Sequence, residues 1–434
     1  MAQTSISTSS GLAPKQWSEA LFAQAGRKRT MTNTLSGAAP DITKMGKVLR
    51  RQTVTDMPIV RVTDLDKNAG DTVRVDLAHI IKLRAVMGDA NAEGLGAKLD
   101  FSYKDIRIDM ATIPVSAGGK MTQKRFQHDL RLIALQQLRG GIPLFDWQRN
   151  LVAMAGSRGT QDDVSWVLPL ASDPEFLSQM VNAPRAPTYN RHFVVSGTTL
   201  VQGGQQLASV VSTDVFKLSH ADDISEIIQE STMRVLPISV PGDMASEDDP
   251  IKAVMLHDSL SWSRLIRETT AGANLRQWQA DAMKRAEYGN LKAHPLFAPG
   301  SFLWNNVLHR RMGDFGIRFL ASTVVSHIPA ANRYTGTETN VTVAAGLGAN
   351  FQVARSLVLG AQALACCNGI NSESGVPYTM LENQTNFKRN HEMAGEVIGA
   401  CDKLTFALPD GQGNLEPTDI GVIVVDSVVP RLTV

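Results

Sequence analysis

Hydrophobic and polar residues alternate strictly through Thr72-Val73-Arg74-Val75-Asp76-Leu77, which places Val73, Val75 and Leu77 on one face and the charged pair on the other. A two-residue period is that of a half-buried strand. A glycine-rich tip follows at residues 88–96. Alternation resumes with Leu99, Phe101 and Tyr103, then changes phase so that Ile106, Ile108 and Met110 become the apolar set. The slip at Lys104-Asp105 predicts a bulge, or a strand passing from one neighbour to another. Residues 57–120 thus read as a long two-stranded ribbon. Such a ribbon is marginal in water on its own, so it must lie on something else.

Helical spacing takes over next. Phe126, Leu130, Ile133, Ala134 and Leu138 share a face, Thr122 is placed to cap the start, and Gly140-Gly141 with Pro143 predict a stop. A second helical stretch runs from Phe145 to Met154 and ends at Gly156. Residues 186–345 mix both periods. His192 to Ser196 is strand-like, and Ser219 with Asp222-Asp223 heads an amphipathic helix carrying Ile224, Ile227 and Ile228. Ile251 to His257 reads as a buried strand leading into a helix near Ser259, with Trp262, Leu265 and Ile266 on one side; further strands are expected within 300–307 and 315–327. This is an α+β pattern. Residues 350–369 read as helical, the apolar window 351–367 being a core helix because Gln352, Arg355 and Gln362 interrupt it. The β-branched run from Asp419 to Asp426 reads as a buried strand returning to a sheet begun earlier. No repeat or low-complexity tract breaks the chain.

At 434 residues the chain is too long for one ordinary core. A net charge of +1 argues against a dedicated nucleic-acid binder, although passive contact stays open. Charge is uneven locally: residues 1–56 hold eight basic and three acidic side chains, among them Arg27, Lys28 and Arg29, and read as an extended arm or a solvated terminus. Three cysteines, Cys366, Cys367 and Cys401, make no framework of bridges, which fits a reducing compartment. The first residues lack the pattern of a secretory signal.

Candidate chemistry is sparse. Asp314-Phe315-Gly316 matches a kinase fragment without its companions, and Gly346-Leu347-Gly348 begins a dinucleotide pattern that stops at Phe351. His257-Asp258-Ser259 sets three triad residue types side by side, but triad members meet through the fold, and Asp258 or Ser259 is more simply a helix cap. Glu247-Asp248-Asp249 lacks an ordered ligand spacing and reads as a solvated turn. Cys366-Cys367 has no zinc-ligand companions. No catalytic residue, metal or cofactor is expected.

The ribbon and its sequel carry a resemblance. Pro58 to Leu65, Gly70-Asp71 to Leu77, Val86 to Asp89 with Glu93-Gly94, Gln123 to Phe126, Ala155-Gly156 to Gly159, Val254 to His257, Arg355 to Leu364 and the closing Asp419 to Asp426 together resemble the major capsid proteins of tailed bacteriophages, in the N4-like branch. Their order and spacing make the resemblance specific from Pro58 to the C-terminus. It implies the HK97-like capsid fold: an N-terminal arm (1–56), an extended β-hairpin loop (57–118), a peripheral domain with a spine helix at Met121 to Arg139 (119–189), an axial domain (190–345), and a return to the peripheral domain (346–434).

The function so implied is self-assembly into pentamers and hexamers of an icosahedral shell around double-stranded DNA. The implied partners are further copies, a portal, scaffolding or decoration proteins and DNA, with no membrane; assembly would occur in the host cytoplasm. On this reading Val73, Val75, Leu77, Leu99, Phe101 and Tyr103 form the loop's contact set on a neighbouring subunit, and Arg27, Lys28 and Arg29 meet acidic neighbours or DNA. The ribbon lysines Lys82, Lys98 and Lys104 read as solvent-facing charge. The alternatives are a minor capsid or decoration protein and a soluble two-domain hydrolase using His257 with Ser259 or Ser261.

Overall fold

A computed structural model describes residues 30–37, 52–53, 55–65, 70–79, 85–88, 91, 93–96, 99, 101–125, 129–240, 250–267, 277–280, 282, 284, 295–297, 300–313, 315–369 and 377–431. Arg27, Lys28, Arg29, Lys82, Lys98, the 247–249 acidic run and Asp314 lie outside these residues.

In chain order, α1 (Thr32–Leu35), β1 (Ile59–Leu65), β2 (Thr72–Ala78), β3 (Phe101–Arg107) and β4 (Met110–Gly119) precede α2 (Lys120–Arg125) and α3 (Leu130–Ala155). There follow α4 (Phe176–Met180), β5 (His192–Ser196), β6 (Thr199–Gln202), α5 (Leu218–Glu230), β7 (Ala253–His257) and α6 (Ser259–Arg267). Next come β8 (Phe302–Trp304), β9 (Val307–Arg311), β10 (Ile317–Leu320), β11 (Val324–His327) and β12 (Thr339–Thr342). The chain closes with β13 (Phe351–Leu359), β14 (Leu364–Gly369), β15 (Tyr378–Thr385), β16 (Asn390–Lys403), β17 (Thr405–Pro409), β18 (Leu415–Asp419) and β19 (Val422–Pro430).

Two sheets organise these elements. One runs β6-β5-β19-β13-β7-β9-β8, with β10 also pairing β13. The other runs β1-β14-β16-β15, with β4 on β16. The strand expected from Asp419 to Asp426 is realised as β19, which begins at Val422 because Asp419 closes β18; it is central between β13 and β5 and buried along nearly its whole length.

Residues 350–369 are not helical. They form β13 and β14, separated by a turn in which Gln362 takes a φ of 57° and a Cβ on Gly360 would meet Val235 Cγ1 at 2.1 Å. A strand covered on both faces loses its alternation, and a short apolar run then mimics a core helix. Residues 346–434, expected to complete one domain, divide between the two sheets: β13 and β19 lie in the first, β14 to β16 in the second.

The predicted stop at Gly140-Gly141 and Pro143 does not occur either. α3 runs through all three residues, capped by Asp129, whose carboxylate accepts from the Arg131 and Leu132 amides, and closed by Gly156 at a φ of 68°. Two glycines cost about 1 kcal/mol each and an interior proline about 3 kcal/mol. Leu138, Ile142, Leu144, Phe145, Trp147, Leu151 and Val152 are buried on this helix, at about 1.5–3 kcal/mol for each large side chain, and that outweighs the breakers. The helix lies close on the second sheet because β16 presents Gly395 beneath it, where a Cβ would stand 2.4 Å from Ile142 Cδ1.

Buried charge ties the layers together. Arg355 of β13 faces Asp426 of β19 in register and donates twice to its carboxylate, both at 2.8 Å. Its third donor, Nη1, reaches the Ala155 carbonyl at 2.8 Å, so one guanidinium caps the C-terminus of α3 and fixes it to the first sheet. His192 completes the set, Nε2 lying 2.8 Å from Asp426 Oδ2. Burial alone would raise the Asp426 carboxyl, but the Arg355 charge and hydrogen bonds, helped by His192, hold it well below the usual carboxylate range. A second buried pair, Lys403 to Asp419 at 2.7 Å, joins β16 to β18.

Candidate assembly surface

The hairpin of β2 and β3 has an unbroken register from Thr72 opposite Arg107 to Ala78 opposite Phe101. No bulge interrupts it at Lys104-Asp105. The strand exchange expected as the other option does occur, a few residues later: the chain leaves β2 after Arg107 and, from Met110, pairs with β16. The phase change in the sequence records instead which face is covered. Residues directly opposite in an antiparallel ladder share a face. Val73, Val75 and Leu77 therefore lie with Ile106, Lys104 and Ser102, whereas Phe101 and Tyr103 lie with Ala78 and Asp76 on the reverse side.

The six residues expected to form one contact set thus split. Val73 and Ile106 are buried in a cluster with Val60, Val62, Ile108, Cys367 and Phe406, and Val75 and Leu77 pack against it from the edge. The root of the ribbon rests on its own chain. On the reverse face Phe101 and Tyr103 are each 63% exposed, and Leu99 nearer the tip is exposed as well. The Arg74 guanidinium lies 4.1 Å from the Tyr103 ring centre and pairs with Asp105 at 2.7 Å, which stiffens this face without covering it. Gly88 and Gly94 take φ values of 65° and 79°, conformations that suit the tight tip.

Lys104, expected to face solvent, points to the covered side. Its ammonium pairs with Asp402 at 2.8 Å, donates to the Lys403 carbonyl, and its side chain is only 13% exposed. Burial pulls its pKa down, opposed by the Asp402 charge. Nothing in the sequence separated Lys104 from its exposed neighbours; its partner is far along the chain.

A second apolar surface lies beside α3. Leu132 and Leu135 of α3 with Met380, Leu381 and Met393 of β15 and β16 line a groove of about 390 Å³, its rim marked by the Arg131–Glu382 ion pair. Leu132, Met380 and Leu381 are exposed within it.

The residues considered for hydrolysis do not assemble. His257 is fully buried, its Nε2 hydrogen-bonded to His309 Nδ1 at 2.9 Å, and burial drives its pKa well below the ordinary histidine value. Asp258 is the cap expected of it, accepting from the Leu260 amide at 2.9 Å while Arg318 pairs with it at 2.8 Å. The Ser259 hydroxyl accepts from the same Arg318, and the buried Ser261 hydroxyl has no hydrogen-bond partner among the described residues. Cys366, Cys367 and Cys401 are buried and form no disulfide among the described residues, and burial raises the Cys401 thiol to about 12. Among the described residues no group of three or more His, Cys, Asp or Glu could hold a metal ion.

Comparison with known proteins gives one consistent result. The family model described as phage capsid protein matches residues 5–431. The chain is similar in fold to the capsid of Ralstonia phage GP4, at 21% identity and a TM-score of 0.69 over 100% of both chains. It is also similar to the chain of the cyanophage Pam1 capsid asymmetric unit, at 17% identity and a TM-score of 0.63 over 98% of this chain and 99% of that one. The acidic stable capsid of Helicobacter pylori bacteriophage KHP30 aligns at 10% identity and a TM-score of 0.56 over 96% and 95% of the two chains. No curated protein matches.

Proposed function

The chain belongs to the phage capsid protein family, and from that premise we propose how its surfaces build a shell. It is a structural protein, a major capsid protein of the virion shell with the HK97-like fold, and not an enzyme. In the proposed shell, copies associate through heterologous contacts that close into pentamers and hexamers, and these close into an icosahedral particle around double-stranded DNA. A portal and scaffolding or decoration proteins complete the particle, which assembles in the host cytoplasm. Residues 1–56 act as the arm, 57–118 as the extended loop, 119–189 with α3 as the peripheral domain, and 190–345 as the axial domain. The near-neutral net charge of +1 lets the genome move past without strong retention.

The observation that carries the assembly mechanism is the two-faced ribbon. Val73, Val75 and Leu77 anchor it to its own subunit, and the opposite face presents Phe101 and Tyr103, each 63% exposed. Aromatic side chains displayed on a rigid hairpin are costly to leave wet and are typical anchors of protein interfaces. They bury themselves, with Leu99, on an adjacent copy. The groove of Leu132, Leu135, Met380, Leu381 and Met393 is the apolar surface that suits them. Electron microscopy and sedimentation of the purified chain under assembly conditions test the proposal. Capsomers and closed shells are the expected result; a monomer under every condition overturns it.

A further inference from the structure

The end of the second sheet beside the start of α3 is a basic, aromatic knob. β15 and β16 are joined there by a tip in which Asn386, Phe387 and Lys388 take φ values of 51°, 54° and 63°, three successive left-handed residues without a glycine. Side chains of this kind rarely occupy that region, and a bulky one there is strained. The strain is locked in. The Arg389 amide donates to the Thr385 and Asn386 carbonyls, and the Lys120 amide donates to the Arg389 carbonyl at 2.9 Å. Phe387, so displayed, is 96% exposed. Lys388 and Arg389 follow it directly and Lys120 is joined to Arg389 by that backbone bond, with Lys124 and Arg125 one helical turn further, all exposed. None of the five forms an ion pair among the described residues.

The opposite sign gathers beyond the other end of α3. Asp162, Asp163, Asp173 and Glu175 are exposed in the loops after Gly156, and the first three act together on Arg158. In their midst Val164 is 98% exposed. The Gln148 side chain holds this loop in place, accepting from the Val167 and Leu168 amides and donating to the Ser165 carbonyl. The basic knob lies by the other end, where a Cβ on Gly118, two residues before Lys120, would stand 4.0 Å from Leu130 Cδ1. Gln148 stands roughly 27 Å along the helix from Leu130 at 1.5 Å per residue. A helix dipole favours acid at its N-terminus and base at its C-terminus, the reverse of this arrangement, so neither cluster is explained by stabilising α3.

We infer that the Phe387 knob of one subunit docks head-to-tail on the acidic Asp162–Glu175 surface of a second copy of this chain. This rests on the shell reading above, which supplies the second copy, and adds a contact distinct from the ribbon. Within the chain the exposed acids meet only the buried Arg158, Asp162 at 4.0 Å, and the five cations of the knob pair with no acid among the described residues; the two ends of the helix satisfy each other between copies, in a heterologous contact that continues from subunit to subunit. Phe387 and Val164 give the contact its apolar centre, and the charges set its register.

The test uses full-length chain and compares assembly by light scattering and sedimentation with folding by thermal melting. Phe387→Gly relieves the left-handed strain, so its monomer is expected to melt no lower than wild type while assembly weakens roughly tenfold. Lys388→Glu with Arg389→Glu is expected to weaken assembly by a similar factor, and Glu175→Lys, which leaves the acids around Arg158 in place, added to the same chain is expected to recover part of it. Wild-type assembly by Phe387→Gly or by the basic-end reversal overturns the inference, as does failure of the acidic-end reversal to rescue. A wild-type chain that never assembles counts against the shell reading instead.

Discussion

Replacing Phe101 and Tyr103 together by serine separates folding from assembly. Full burial of a large apolar side chain is worth about 1.5–3 kcal/mol. With each ring 63% exposed, only about a third of that is realised inside the subunit, about 0.5–1 kcal/mol per residue. Loss of the Arg74 guanidinium over the Tyr103 ring adds about 0.5–1 kcal/mol at an exposed site. The monomer should therefore lose about 2 kcal/mol, within the reserve of an ordinary fold. In the proposed shell the remaining two thirds of each ring is buried on a neighbour, so each contact should lose about 2–4 kcal/mol, roughly a 30- to 1,000-fold weakening. Urea unfolding of the monomer and light-scattering assembly of the same preparation measure the two quantities. A folded monomer that fails to close shells is the expected result. Loss of the monomer fold would show that these rings belong to a local core, and shells of normal yield would show that they face solvent in the particle; either refutes the reasoning.

Other perturbations probe the frame that holds the ribbon. Asp426→Ala leaves the Arg355 guanidinium buried and half-satisfied and should cost about 3–5 kcal/mol in chemical denaturation, far more than truncation of an exposed carboxylate. Gly395→Ala drives a methyl into Ile142 and should cost about 1–3 kcal/mol, with α3 the first element to lose hydrogen-exchange protection. Acid should destabilise the subunit through its buried histidines. Burial pushes the His309 pKa from 6.5 down to about 3, so the unfolded chain takes up the proton first; stability is full above about pH 6.5 and falls below it, by about 2 kcal/mol from this residue at about pH 5. His192 and His257 shift in the same direction and steepen the slope, which unfolding curves across that pH range would record.

The ribbon was legible because strands covered on one side advertise their period. What alternation cannot show is which strand lies opposite at which register, so Val73 and Phe101 could be grouped by polarity although the ladder sets them on opposite faces. β13 was illegible for the converse reason: with neighbours on both edges and cover on both faces, Phe351–Leu359 has no polar side to reveal a period. Its one signal was Arg355, an ion in an apolar run. Asp426 is the same signal with the opposite sign, but their pairing across β13 and β19 belongs to the tertiary structure. α3 shows packing overriding local preference, since the breakers at Gly140, Gly141 and Pro143 were real and were outweighed by the buried face around them. Lys104 and Asp402 meet only once the ribbon lies against β16, so the lysine read as one more wet charge.

The most direct test is a reconstruction of the assembled particle at side-chain resolution. It is expected to show Val73, Val75 and Leu77 packed on their own subunit while Phe101 and Tyr103 are buried against the next one. A shell in which those two rings face solvent, or fold back onto their own chain, would contradict the assembly mechanism.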